Sequence, residues 1–244
     1  MGISENAAEI TRRVSEALKR SGDPSREVRL IAVSKTFSAD RIAEAMDAGL
    51  FRFGENRVQE LTSKYEGLKN RRTVNVTRGK PVSVEWHFIG HLQTNKVKKL
   101  LEVPTRYIHS VDRAELAVEL DRQLQKRGES RDILVEVNTS GEESKSGVEP
   151  GKTAALVREI AAFGTLKVKG LMTIGKLTDD QAVIRKCFAT LRETSLRIKD
   201  EDIAGVDMTE LSMGMSGDFE TAVEEGATMI RVGTAIFGER LPKE

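Results

Sequence analysis

Short apolar runs and amphipathic stretches alternate along almost the whole chain. Ile3, Ala7, Ile10, Val14, Ala17 and Leu18 recur at three- and four-residue spacing, which predicts an amphipathic helix over 1–22. Beyond it, runs rich in Val, Ile, Leu and Phe predict strands at 29–34, 51–54, 84–89, 106–110, 132–138, 168–173, 208–212 and 229–233. Helical periodicity fills the intervals near 39–48, 55–68, 94–101, 112–127, 150–163, 179–199 and 217–225. Ser38, just before Ala39, Ile42, Ala43 and Met46, has the place and chemistry of an N-cap.

Eight strands alternating with helices call for a parallel α/β sheet. A doubly wound open sheet and a closed (β/α)8 TIM barrel both satisfy that pattern. The first strand ends in Ser34-Lys35-Thr36 and lacks a glycine-rich dinucleotide turn. Eight units also follow one another with no break in composition. The expected architecture is therefore a (β/α)8 barrel with an extra N-terminal helix, in a single domain over 1–244. The stretch 69–83 interrupts the rhythm with Arg71, Arg72, Arg78, Lys80, Gly79 and Pro81. It reads as a solvated surface insertion, with Thr73 to Thr77 alternating as a small hairpin would and a local anion patch as the sharper alternative.

Composition removes several function classes. Lys+Arg 39 against Asp+Glu 38 gives a net charge of +1, so no global field favours nucleic acid or an anionic membrane. No apolar run approaches the length of a transmembrane helix. Acidic residues Glu5, Glu9 and Glu16 in the first helix argue against a secretory or transit segment. A lone cysteine, Cys187, excludes an internal disulfide, fits a reducing cytoplasmic compartment, and falls in a helical run where it packs. In that compartment the sequons at Asn75 and Asn138 are chance matches. Three histidines without a neighbouring cysteine make no metal set, and no nucleophile elbow supports a Ser-His-Asp triad.

Barrel sites form at the C-terminal ends of strands, so polar residues there are the candidates. Lys35 ends the run Leu30–Val33 beside a helix start, where an amine can be desolvated and attack a carbonyl. Strand-end lysines are often merely solvated, so this segment alone leaves both readings open. Ser212-Met213-Gly214-Met215-Ser216-Gly217 and Arg231-Val232-Gly233-Thr234 leave the seventh and eighth strands. Their hydroxyls and small residues suit a phosphate, which barrels frequently bind between those two loops. A lysine and a phosphate site together suggest a phosphorylated aldehyde, for which pyridoxal 5'-phosphate (PLP) is the obvious ligand. Arg231 would then face the pyridine ring. An arginine keeps its proton, so it would hold the ring nitrogen neutral and weaken the ring as an electron sink.

Several ordered motifs carry a family resemblance. They are Ile31–Thr36, Phe53-Gly54-Glu55-Asn56-Arg57-Val58-Gln59-Glu60, Trp86–Lys96, Val137-Asn138 with Lys145, Gly170–Ile174, Leu211–Ser216 and Arg231–Gly238. From about Val28 to Arg240 the chain resembles the pyridoxal phosphate homeostasis proteins, also called proline synthase co-transcribed homologues. The stretch 69–83 is longer than that family's usual connection. The resemblance implies a fold-type III PLP barrel like the N-terminal domain of alanine racemase, with Lys35 as Schiff-base lysine. It further implies Ser212, Ser216, Gly233 and Thr234 on the phosphate, Arg231 at the pyridine nitrogen, and Asn56, His87, Ile89 and Met172 along the ring. A cytosolic monomer is implied, with a mitochondrial pool if the source is eukaryotic.

A two-base racemase needs a second proton donor, usually tyrosine, held by a further domain and a partner subunit. Tyr65 falls in a helix, Tyr107 sits early in a strand, and too few residues follow Arg240 for another domain. The expected function is accordingly a PLP carrier in vitamin B6 homeostasis. It would hold the cofactor reversibly and exchange it with free amino acids or apo-enzyme lysines. A PLP-dependent racemase, decarboxylase or lyase is the alternative, and a phosphate-binding barrel of sugar metabolism is a third reading.

Overall fold

A computed structural model of the chain describes residues 2–69, 73–75 and 80–239. The first helix, α1 (Ile3–Arg20), buries Ile3, Ala7, Ile10, Ala17 and Leu18, the apolar face expected from their spacing. Strands and helices then alternate: β1 (Arg29–Val33), α2 (Ala39–Asp47), β2 (Arg52–Glu55) and α3 (Val58–Leu68). A short antiparallel hairpin, β3 (Thr73–Asn75) with β4 (Lys80–Val82), precedes β5 (Glu85–Phe88). The series continues with α4 (Val97–Leu100), β6 (Thr105–Val111), α5 (Ala114–Arg127), β7 (Arg131–Glu136) and α6 (Thr153–Ala161). It ends with β8 (Leu166–Met172), α7 (Gln181–Asp200), β9 (Val206–Ser212), α8 (Phe219–Glu224), β10 (Met229–Val232) and α9 (Thr234–Phe237).

The eight strands outside the hairpin close into a parallel barrel in the order β1-β10-β9-β8-β7-β6-β5-β2. β1 completes the circle, with Arg29 opposite Met229 on one side and Ala32 opposite Phe53 on the other. Strand residues that face outward pack under the helices. Inside the barrel, Ile31, Tyr107, Leu134, Met172 and Met229 form a separate buried cluster. Near the N-terminal ends of the strands, Arg29 pairs with Glu210 and lies 5.9 Å from the Tyr107 ring, closing that mouth with satisfied polar groups.

Helix boundaries follow local chemistry. The Ser38 hydroxyl accepts from the Arg41 N–H, as the N-cap reading requires, and Asp180 caps α7 through Ala182 and Val183. The third helix starts at Val58, three residues later than its apolar pattern suggested, because Glu55 is retained in β2 by buried partners described below. The expected helix at 94–101 is a 3-10 turn, Thr94–Lys96, running into α4. α9, only four residues long, lacks a detectable period and was not foreseen. The proposed hairpin in the insertion is present as β3 and β4; residues 70–72 and 76–79 lie outside the described residues. Among the described residues no helix is long and apolar enough to cross a membrane, and no cluster of three metal-ligating side chains occurs.

Candidate functional site

A cavity of about 520 Å³ opens at the C-terminal ends of the strands. Its wall includes Lys35 after β1, Asn56 after β2, Ile89 and Gly90 after β5, and Glu136 at the end of β7. Ser216 and Gly217 come from the β9 loop, and Arg231, Gly233 and Thr234 from β10 and the turn after it. Lys145, Ser146 and His91 complete the polar rim, while Val33, Ile174 and Met215 add apolar surface. Three cationic side chains, Lys35, Lys145 and Arg231, and one carboxylate, Glu136, lie on the wall, with Lys145 also paired to Glu142 beside it; the buried Arg231 gives the cavity positive character.

Lys35 sits in a tight turn closed by the Phe37 N–H donating to the Ser34 carbonyl at 3.1 Å. Thr36, third in that turn, has φ 72°, a left-handed conformation that costs a β-branched residue of order 1–3 kcal/mol. Surrounding bonds hold it there. The Thr36 N–H donates to Glu60 at 2.8 Å, and the Ser34 hydroxyl donates to Glu55 at 2.6 Å. The Lys64 ammonium donates to the Ser34 carbonyl at 2.8 Å and to Glu55 at 2.7 Å. Ser34 and Glu55 are wholly buried. Burial pushes the Glu55 carboxyl above the usual range, against the pull of Lys64. A buried ion pair thus clamps the backbone on both sides of Lys35.

The loops after β9 and β10 are laced together through Ser216, whose hydroxyl accepts from the backbone N–H of Gly233 at 3.3 Å and of Ala235 at 3.4 Å. Hydroxyl and N–H groups therefore converge at one end of the cavity, a donor set suited to a phosphate. Asn56 and Gly90 are in close approach: a Cβ on Gly90 would stand 2.2 Å from the Asn56 carbonyl oxygen. Only glycine lets the β5 loop seat Asn56 against the cavity.

Arg231 is almost completely buried. Its guanidinium donates to the Ser212 hydroxyl at 2.7 Å and to the Thr173 carbonyl at 2.8 Å. Among the described residues no carboxylate comes within ion-pair distance. Burial lowers its pKa to about 10, with Glu136 and Asp218 opposing, so it remains a cation at neutral pH. The Glu136 carboxyl moves the other way, up to about 7, through burial and then the neighbouring Asp112 charge, with Arg231 pulling it down.

Of the residues expected from the sequence, Lys35, Asn56, Ile89, Ser216, Arg231, Gly233 and Thr234 line the cavity together. Ser212, His87 and Met172 do not. Ser212 is behind Arg231, His87 is hydrogen-bonded to Glu85 and His109 inside the barrel, and Met172 packs in the interior cluster. Each is wholly buried in the barrel interior beneath the cavity, and depth along the barrel axis cannot be read from the point where an apolar run stops. Sequence reasoning passed over Glu136, a charged residue ending the apolar run Ile133–Val135, and that break in apolarity was the available signal. Neither Tyr65 nor Tyr107 is on the cavity wall.

The alanine racemase N-terminal domain family matches residues 6–241. A relative from Aquifex aeolicus called pyridoxal phosphate homeostasis protein is 41% identical over 240 residues, covering 98% of this chain and 99% of its own. PipY of Synechococcus elongatus, solved with PLP bound, superposes with a TM-score of 0.81 at 35% identity, covering 97% of this chain and 100% of that one. Alanine racemase from Corynebacterium glutamicum shares the fold at 16% identity and TM-score 0.64, over 98% of this chain and 61% of its own.

Proposed function

The chain belongs to the alanine racemase N-terminal domain family, and we propose that its barrel-end cavity is where it holds pyridoxal 5'-phosphate in a homeostatic role. The single observation that carries this reading is the convergence of Lys35, Arg231 and the hydroxyl-bearing β9 and β10 loops on one cavity. The relatives named for pyridoxal phosphate homeostasis, and the PLP-bound PipY, support it.

The residues present fit the cofactor. Lys35 offers an amine held by a clamped turn, and Ser216, Gly233 and Thr234 offer donors for the phosphate. Arg231, a fixed cation with no carboxylate within ion-pair distance among the described residues, would meet the ring nitrogen, while Asn56 and Ile89 would flank the ring. Bound there, PLP supplies an aldehyde carbon for an amine and a conjugated ring that withdraws electrons. Arg231 cannot accept a proton from water or donate its own at neutral pH, so it damps that withdrawal. Glu136, beside it, can hold or release a proton near neutral pH.

A carrier role is favoured over turnover because the cavity wall has no tyrosine to serve as a second base opposite Lys35. Apo-enzymes and free amino acids are the proposed recipients, with the chain acting as a cytosolic monomer. The direct test is PLP transfer from the loaded protein to an apo-enzyme, compared with free PLP at equal concentration. Protein-dependent transfer without α-proton exchange of amino acids in D2O is expected. Fast exchange would establish an enzyme instead. A protein that stays colourless after PLP loading, or a Lys35→Ala variant that retains the ligand and its visible band, would end the reading altogether.

A further inference from the structure

A continuous hydrogen-bonded chain crosses the barrel interior beneath the cavity. It starts at Arg231 near the C-terminal end of β10, passes through Ser212 on β9, His109 on β6 and His87 on β5, and ends on Glu85 at the opposite end of β5. Its successive distances are 2.7, 3.0, 2.9 and 2.9 Å. Ser212, His87 and His109 are wholly buried, so no bulk water competes for their bonds.

Chemistry fixes the direction of every link. An ionised carboxylate only accepts, so His87 donates its Nε2–H to Glu85. With both rings neutral, the His87 Nδ1 accepts from the His109 Nε2–H. The Ser212 hydroxyl, which accepts from Arg231, gives its hydrogen to the His109 Nδ1. Burial favours the neutral form of both rings, and the charges around His87 are Glu85, Arg29 and Arg52. Each ring uses both nitrogens once, and neither tautomer can invert without breaking two bonds. Such one-way chains polarise cooperatively, and a buried group left without its partner is costly.

We infer that Ser212, His109, His87 and Glu85 are positioning residues for Arg231, a tautomer-locked chain that orients its guanidinium toward the cofactor ring and ties it to a carboxylate at the far mouth of the barrel. The inference rests on the reading of the cavity as a PLP site. It assigns Ser212 and His87 a role one shell behind the cofactor. Glu85 is the partly exposed end of the chain, so its carboxylate can be replaced by another acceptor, whereas the buried His109 in the middle has no substitute.

The wild-type protein provides the first test, by nitrogen-detected NMR of the histidine side chains without PLP. His87 and His109 are both expected as neutral Nε2–H tautomers. Either ring found as Nδ1–H overturns the chain. The second test loads PLP into His109→Leu, Ser212→Ala, Glu85→Leu and Glu85→Gln. His109→Leu and Ser212→Ala are expected to weaken PLP retention about tenfold, the scale of an outer-shell partner. They should also shift the visible absorbance maximum or its pH profile, with Lys35 still attached. Glu85→Gln, whose carbonyl still accepts from His87, should restore the wild-type spectrum that Glu85→Leu perturbs. An unchanged spectrum and retention in both His109→Leu and Ser212→Ala, at whatever thermal stability, refutes the positioning role. Ser212→Ala and the wild-type NMR keep the test decisive should His109→Leu fail to fold. Failure of wild-type PLP loading would refute the cavity reading, while the tautomer result would stand independently.

Discussion

Replacing Glu136 with glutamine should change how the stability of the ligand-free protein depends on pH. Only 4% of Glu136 is exposed, and no hydrogen-bond or ion-pair partner holds its carboxylate within the described residues. Burial, then the Asp112 charge, raises its pKa from 4.5 to about 7, and Arg231 only partly compensates. Between those values the folded protein keeps a proton that the unfolded chain has released. Stability therefore falls as pH rises through that window and levels off above about 7. The full gap corresponds to about 3 kcal/mol, an upper figure because the carboxyl borders a cavity that water can enter. Glu136→Gln keeps the shape and removes the titration. Urea denaturation of both proteins without PLP, from pH 5 to pH 8, should show the variant gaining about 2–3 kcal/mol relative to wild type across the range. Parallel profiles for the two proteins, or a gap that widens toward acid, would refute the reasoning.

Three further outcomes are expected. Lys64→Met leaves Glu55 buried without its cation and should cost about 3–5 kcal/mol in denaturant unfolding, much of it recovered in Lys64→Met/Glu55→Gln. A single-variant loss below about 1 kcal/mol would show that the ion pair does not clamp the Lys35 turn. Gly90→Ala places a methyl 2.2 Å from the Asn56 oxygen, so the β5 loop must move. PLP retention should fall more than in an alanine substitution at Gly151, where the added Cβ meets nothing. Ser38→Ala removes the cap of α2 and should cost about 1 kcal/mol by thermal or urea unfolding, with PLP uptake unchanged.

Much of this protein was legible in its sequence because its barrel is built from strongly periodic pieces. The runs that predicted eight strands all became barrel strands, since a parallel strand covered on one side by helices and filled on the other by side chains must be apolar throughout. Lys35, Ser216, Arg231, Gly233 and Thr234 could be named in advance because barrel chemistry gathers at strand ends, and strand ends are visible as the points where apolar runs stop. The same logic also put forward Ser212, His87 and Met172, which the fold sets beneath the cavity wall. All three point into the barrel, but strand stagger sets how deep each inward side chain lies, and these sit below the cavity rather than on its wall.

Two arrangements depend on tertiary structure alone. The clamp of Ser34, Glu55, Glu60 and Lys64 joins the residue after β1 to β2 and α3, and nothing in their spacing announces that a lysine on a helix reaches the carbonyl just past a strand. The chain from Arg231 to Glu85 links residues as far apart as 103 positions, since barrel closure sets β6 opposite β9. Sequence by itself determined the elements, their alternation and the lysine at the end of the first strand, because those follow from local periodicity and strand termini. Tertiary structure decided which buried polar groups meet, because hydrogen bonding between distant strands depends on distances and directions that exist only once the barrel has closed.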